Sequence, residues 1–233
     1  MKQLPLQLSP DPVRSLESFV STGNELLVAH IGQSPVPQAP LYLWGVPGCG
    51  KTHLLRALAG RARAAGRRVR WWQDQPAAGT SVDEELPADL LLVDDVQRLT
   101  PTQQHDVFSR LVRAPEVDGV WAAAGDAPVV DLPLREDLRT RLGWGHVFEV
   151  CALDEAGTRE VLRREAARRG IVVGDDVLGY LLSRFDRDLS SLMRLLDGLD
   201  VYALAEGRAV TVPLLRRMLA QPCDQGPAPW SPT

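Results

Sequence analysis

The chain has 233 residues, 45% hydrophobic and 24% charged, which suits one sizeable core or a core domain with a small satellite and excludes a disordered chain or a disulfide miniprotein. Its 26 basic and 30 acidic residues leave a net charge of −4, which argues against a nucleic-acid binder relying on whole-surface attraction and leaves only a local patch for such contact. Cys49, Cys151 and Cys223 are scattered and odd in number, no apolar run nears the roughly 18–20 residues of a membrane span, and the N-terminus lacks an apolar signal region, so reduced thiols and a cytoplasmic protein are expected.

In chain order, Pro5, Pro10 and Pro12 among alternating leucines predict an extended tail over residues 1–12. Residues 14–31 read as a short helical segment and a second helix capped by Asn24, before a proline-rich connector. A strand at Leu41–Trp44 then leads through a glycine-rich turn into a helix over about 51–65, which Gly66 ends, and a strand at Val69–Trp72 follows. Leu90–Val93 is apolar throughout, as expected of a strand covered on both faces. A helix near 101–113, a strand at Val120–Ala124, a helix at about 134–142 and a strand at His146–Val150 complete the alternation of an α/β fold with a parallel five-stranded sheet. Past Leu153 the pattern is helical only, at about 154–169, 175–184, 187–205 and 213–220. The expected organisation is a tail over 1–12, an α/β domain over 13–152, an all-helical lid over 153–221 and a disordered proline-rich tail over 222–233.

The turn after the first strand, Gly45-Val46-Pro47-Gly48-Cys49-Gly50-Lys51-Thr52, satisfies the phosphate-loop pattern G-x-x-x-x-G-K-[ST] between a predicted strand and a predicted helix. Glycines let backbone N–H groups turn toward a β-phosphate, and the new helix presents its positive end. Lys51 would reach the β/γ oxygens and Thr52 would offer a hydroxyl to Mg²⁺. Apart from Lys2, Lys51 is the only lysine among the 26 basic residues, so a compact ammonium falls where a point charge is needed. Pro47, Gly48, Cys49, Gly50, Lys51, Thr52 and His53 are therefore candidates for holding ATP or ADP. The buried strand Leu90–Val93 ends in Asp94 and Asp95, which fits a metal-binding carboxylate followed by one that orients water. Asp95 is a methylene shorter than the glutamate many such ATPases carry, which points to weak intrinsic hydrolysis.

These motifs, with GKTHLL at Gly50–Leu55 and LLLVDDVQRL at Leu90–Leu99, resemble the AAA+ ATPases and, within them, the DnaA-related branch whose shorter members are the Hda regulators. The resemblance covers about residues 13–220. It implies that SLESFVSTGNELLVAHI packs beside the adenine, and that Asp126 is a nucleotide-sensing residue after the fourth strand. It further implies that Arg141 is an arginine finger acting in trans and Arg187 a second sensor in the lid. The initiator continues into a DNA-binding helix-turn-helix domain, which this sequence does not show. In front, Gln3-Leu4-Pro5-Leu6-Gln7-Leu8 looks like the hexapeptide that docks on the replicative sliding clamp, with Gln3, Leu4, Leu6 and Leu8 making the contacts.

The function implied is regulation of replication initiation, by a protein that binds nucleotide, docks on the clamp (the polymerase β subunit) and promotes hydrolysis of ATP held by DnaA. The alternatives are a self-sufficient AAA+ ATPase or loader, in which Arg141 of a homo-oligomer serves its neighbour, and a passive clamp-binding adaptor. DNA contact is expected to be weak or indirect. Arg56, Arg61, Arg63, Arg67, Arg68 and Arg70 read as a solvated face, with DNA contact as the alternative. Trp71 and Trp72 read as core and interface, and His53, His105 and His146 lack metal-ligand spacing.

Overall fold

The computed structural model describes residues 15–74, 88–185 and 189–220. The expectations for Gln3, Leu4, Leu6, Leu8, Arg187 and both tails lie outside them. The chain divides into two compact units, Met1–Val46 with Gly50–Cys151, and Pro47–Cys49 with Ala152–Thr233.

The first unit carries five parallel strands, β1 (Leu41–Trp44), β2 (Val69–Trp71), β3 (Leu90–Val93), β4 (Val120–Gly125) and β5 (His146–Glu149), in the order β2-β3-β4-β1-β5. Its helices are α1 (Glu25–Gly32), α2 (Lys51–Ala64), α3 (Pro101–Arg113) and α4 (Glu136–Leu142). Strand residues alternate between two buried faces, which is why β1, β3 and β4 are apolar at nearly every position. Tyr42, Leu91, Val93, Trp121 and Ala123 share one core with Val107 and Leu111 of α3 and Leu138 and Leu142 of α4. Their neighbours Leu41, Leu43, Leu90, Leu92, Ala122 and Ala124 are fully buried on the opposite face.

Local chemistry sets the ends of the helices. α2 stops at a left-handed Gly66 (φ 74°), and the Arg67 N–H reaches back to the Ala62 carbonyl at 2.9 Å. α3 starts with a capping box, in which Thr100 Oγ1 accepts from the Gln103 N–H and Gln103 Oε1 accepts from the Thr100 N–H, with Pro101 in the first turn.

Two expectations are corrected. Trp72 leaves the strand for a short 3-10 turn, where its indole N–H donates to Asp106 at 2.6 Å. Asn24 precedes α1 without capping it. Its amide instead donates to the Cys151 carbonyl at 3.0 Å and accepts from the Cys151 N–H at 2.9 Å, fastening the start of α1 to the chain beyond β5.

The second unit holds α5 (Glu155–Arg168), α6 (Asp175–Arg184), α7 (Leu189–Glu206) and α8 (Val212–Ala220). Asp154 caps α5 through the Gly157 N–H at 2.7 Å. Leu162, Leu178, Leu181, Leu192, Leu195, Leu199, Leu215 and Met218 bring all four helices into one apolar cluster.

Candidate functional site

Because the strands are parallel, the C-terminal ends of β1, β4 and β3 open on one edge of the sheet, where ligands of open α/β sheets bind. Trp44 of β1 lies opposite Gly125 of β4, and Val93 of β3 opposite Ala123. The register therefore brings the loop after Trp44, the pair Asp94-Asp95 and Asp126 to that edge.

The loop bends through left-handed Gly48 (φ 78°) and Gly50 (φ 107°) into the first turn of α2. A Cβ on Gly50 would lie 2.7 Å from the Phe19 ring, so no other residue fits there without moving Phe19. Lys51 is buried at 7% exposure, and its ammonium donates to the carbonyls of Gly45 at 2.7 Å and Val46 at 3.0 Å. Its charge is thus held inside the curl of the loop. The His53 ring meets the Ser15 carbonyl at 2.9 Å and the Ser18 hydroxyl at 3.3 Å, and its centroid lies 5.6 Å from that of Phe19. Through His53 and Phe19 the segment at 15–19 is fastened beside the phosphate loop.

Thr52 Oγ1 donates to Asp94 Oδ2 at 2.6 Å, while the Asp95 N–H donates to Asp94 Oδ1 at 3.0 Å. The hydroxyl and carboxylate expected to share Mg²⁺ are therefore already in contact, on α2 and at the end of β3. Burial raises the Asp94 carboxyl above its ordinary range and the Asp95 charge adds to this, against the Thr52 hydrogen bond and the Lys51 charge. A cation beside Asp94 would relieve that conflict, so this donor set fits a hard divalent metal carried by a polyphosphate.

Asp95 adopts a left-handed backbone (φ 50°), a conformation that Asp tolerates better than most residues. Its carboxylate accepts from Gln97 Nε2 at 3.3 Å and meets Arg98 at 3.6 Å. The exposed Asp126 follows β4, and its charge, after burial, is the second cause that pushes the Tyr42 phenol upward. The Tyr42 hydroxyl donates to the Ala127 carbonyl at 2.8 Å, pinning the turn that carries Asp126.

Arg141 lies in the last turn of α4. Its Nε and Nη2 donate to the Leu111 carbonyl at 3.3 and 3.0 Å, and the guanidinium lies 4.7 Å from the centroid of the exposed Trp144 ring. It is thereby seated on the C-terminal end of α3, with cation–π contact on one side. The Gly45 and Val46 carbonyls, the Thr52 hydroxyl and the Asp94 carboxylate come together at one edge around Lys51; Arg141 is anchored by other partners.

The sequence did not announce several positioning residues. Gln73 Nε2 donates to the Asp94 carbonyl at 2.6 Å. Buried Gln104 donates to the Leu99 carbonyl at 3.0 Å and accepts from the Arg135 N–H at 2.9 Å, tying α3 to the start of α4. In the sequence Gln104 stands beside Gln103 with nothing to mark which of the two is buried. Among the described residues no group of three or more His, Cys, Asp or Glu could hold a metal ion. No helix there is long and apolar enough to cross a membrane.

Residues 154–219 match the family model of the Hda lid domain. An uncharacterized protein of Haemophilus influenzae is 29% identical over 228 residues, 94% of this chain and 98% of its own. Domain III of the Thermotoga maritima replication initiation protein DnaA superposes with a TM-score of 0.75 at 21% identity, over 91% of this chain and 98% of that one. AMPPCP-bound DnaA from Aquifex aeolicus gives 0.64 at 21% identity, over 84% of this chain and 68% of that one.

Proposed function

We propose that this chain, a DnaA-related protein of the AAA+ fold with an Hda-type lid, is a regulator of DNA replication initiation that binds adenine nucleotide and promotes hydrolysis of ATP held by the initiator DnaA. The observation that carries the nucleotide reading is the contact of Thr52 with Asp94 beside the buried ammonium of Lys51. AMPPCP bound to the Aquifex relative supports the ligand class.

Lys51 would exchange the Gly45 and Val46 carbonyls for phosphate oxygens, at little cost because it already points into the loop. Thr52 and Asp94 would hold Mg²⁺, which supplies neutralisation of the phosphate charge. The N–H groups of Pro47–His53, proline excepted, would turn to the phosphates, with Asp126 and Arg187 sensing the γ-phosphate end. Asp95, held by Gln97 and Arg98, is poorly placed to activate water, which supports weak intrinsic turnover. Arg141 would be offered to ATP on the initiator, while Gln3, Leu4, Leu6 and Leu8 dock the chain on the sliding clamp of the replisome, in the cytoplasm.

The seat of Arg141 on Leu111 and Trp144 favours a second reading, a passive clamp-binding adaptor in which this arginine is structural. ATP turnover separates the readings when measured for the protein alone, for the initiator alone, and for both with clamp-loaded DNA. The regulatory reading expects stimulation only in the third arm. Turnover by the protein alone at the combined rate would favour a self-sufficient ATPase, and no stimulation would favour the adaptor.

A further inference from the structure

The arginines of α2 and its exit differ from those of α5. From Lys51 to Arg70 the sequence has six arginines and one lysine and no acidic residue, in a chain with 30 acidic residues. On α5 each of Arg159, Arg163, Arg164, Arg168 and Arg169 meets a carboxylate of Glu155, Glu160, Glu165 or Asp175 at 2.6–3.5 Å. On α2, Arg61 turns to the Gly32 carbonyl at 2.9 Å, and beyond the helix Arg68 pairs with Asp89 at 3.3 Å. Arg56, Arg63 and Arg67 are exposed; among the described residues Arg56 and Arg63 have no carboxylate in an ion pair, while Arg67 adds its charge to that of Arg68 beside Asp89.

Residues 56, 60 and 63 recur at the helical period, so Arg56 and Arg63 share one stripe of α2 with Gly60 between them, and Arg67 follows just beyond the left-handed Gly66 that ends the helix. Arg56 and Arg63 are separated by seven residues, roughly 10 Å along the axis. A Cβ on Gly60 would have no atom within 4 Å, so nothing inside the fold requires glycine there. Glycine in a helix interior costs about 0.5–1 kcal/mol relative to alanine, and what it provides is close approach of an outside backbone.

We propose that this stripe binds the phosphate backbone of duplex DNA. The guanidinium groups of Arg56 and Arg63, flanking a glycine notch, are complementary to a row of phosphodiesters, gripping on either side of the notch, with Arg67 adding a third charge beyond the end of the helix. The exposed face of α2 carries arginine, glycine and alanine without an aromatic platform, so it grips backbone charge rather than unstacked bases. The net charge of −4 confines the attraction to this face, which makes binding weak at physiological salt. The proposal depends on neither the clamp nor the initiator.

The test is fluorescence anisotropy of a labelled duplex of about 20 base pairs with the full chain, from about 50 to 200 mM salt. With two or three phosphates neutralised, the logarithm of the binding constant should fall with the logarithm of salt at a slope of about −2 to −3. The variant R56A/R63A/R67A should lose roughly tenfold or more in affinity at the low-salt end and most of that slope, with melting temperature and nucleotide affinity kept. Lysine at the same three positions should retain binding, since phosphate accepts a point charge. R163A/R164A on α5 should bind as wild type. Absence of duplex binding by the wild type, a wild-type slope in the alanine variant, or competition by polyglutamate as strong as by unlabelled duplex would each overturn the proposal.

Discussion

Asp94 holds two demands in conflict. It must be ionised to bind a metal, yet burial raises its carboxyl above the ordinary range. A carboxyl raised in the folded state keeps more protons than the unfolded chain, so its contribution is intact below the ordinary carboxylate pKa and is lost as pH rises through the raised value. Asp94→Asn should therefore raise the melting temperature of the nucleotide-free protein at neutral pH and narrow the loss of stability between acid and neutral pH, while abolishing the Mg²⁺-dependent part of nucleotide affinity. A melting temperature unchanged across that pH range in both proteins would contradict the assignment. Lys51→Ala should lower adenine-nucleotide affinity at least tenfold, about 1.4 kcal/mol, by calorimetry. Arg141→Ala should remove the stimulation of DnaA-bound ATP hydrolysis, a loss of roughly 10³–10⁵ if the guanidinium acts as a finger. It also gives up the Leu111 carbonyl and the Trp144 ring, about 1 kcal/mol and hence roughly 2–4 °C in melting temperature. Lysine at 141 should keep charge near Leu111 but rescue stimulation poorly, because an ammonium lacks the planar fork. Arg139→Ala, which gives up a bond to the Val130 carbonyl, should leave stimulation intact in the same single-turnover assay.

At the scale of elements, β4 is the hinge of the site because it lies between the strand that delivers the phosphate loop and the strand that delivers Asp94. Its last residue is glycine because the Tyr42 hydroxyl reaches across it to Ala127. A Cβ at Gly125 would lie 2.3 Å from that hydroxyl and 3.0 Å from Val96. Gly125→Ala must displace Tyr42 or lift the turn bearing Asp126, at a cost of about 1–3 kcal/mol. Chemical denaturation should show that loss, and nucleotide affinity should fall with it. Restored stability in the double variant Gly125→Ala, Tyr42→Phe would identify the hydroxyl as the obstruction.

For the whole molecule, the clamp-docking role proposed for Gln3, Leu4, Leu6 and Leu8 falls on residues outside the described ones, and none of them belongs to the core described above. Replacing Gln3, Leu6 and Leu8 with alanine should abolish capture of the sliding clamp while leaving melting temperature and nucleotide affinity at wild-type values. Stimulation of DnaA should then require far more protein, because docking no longer raises the local concentration of the two partners. Clamp capture by the triple variant would refute the hexapeptide.

Strand and helix order was legible in the sequence because apolar runs and helical periods are local signals, as in Leu90–Val93 and Pro101–Arg113. The phosphate-loop pattern was legible because glycines at fixed spacing, followed by lysine and threonine, are a local signal, and the structure places that pattern in the turn between β1 and α2. The contact of Thr52 with Asp94 was not, since 42 positions separate them and only the parallel sheet brings them to 2.6 Å. The same holds for Asn24, whose local preference for capping a helix yields to a pair of bonds with Cys151, 127 positions away. It holds again for Arg141, whose spacing in the chain says nothing of the Leu111 carbonyl beneath it. Sequence pattern determined which elements form and where the phosphate-loop pattern falls among them, because both are written in neighbouring residues. Which side chains hold those residues in place was decided by packing alone, because hydrogen-bond partners distant in the chain meet only once the sheet order has set their register.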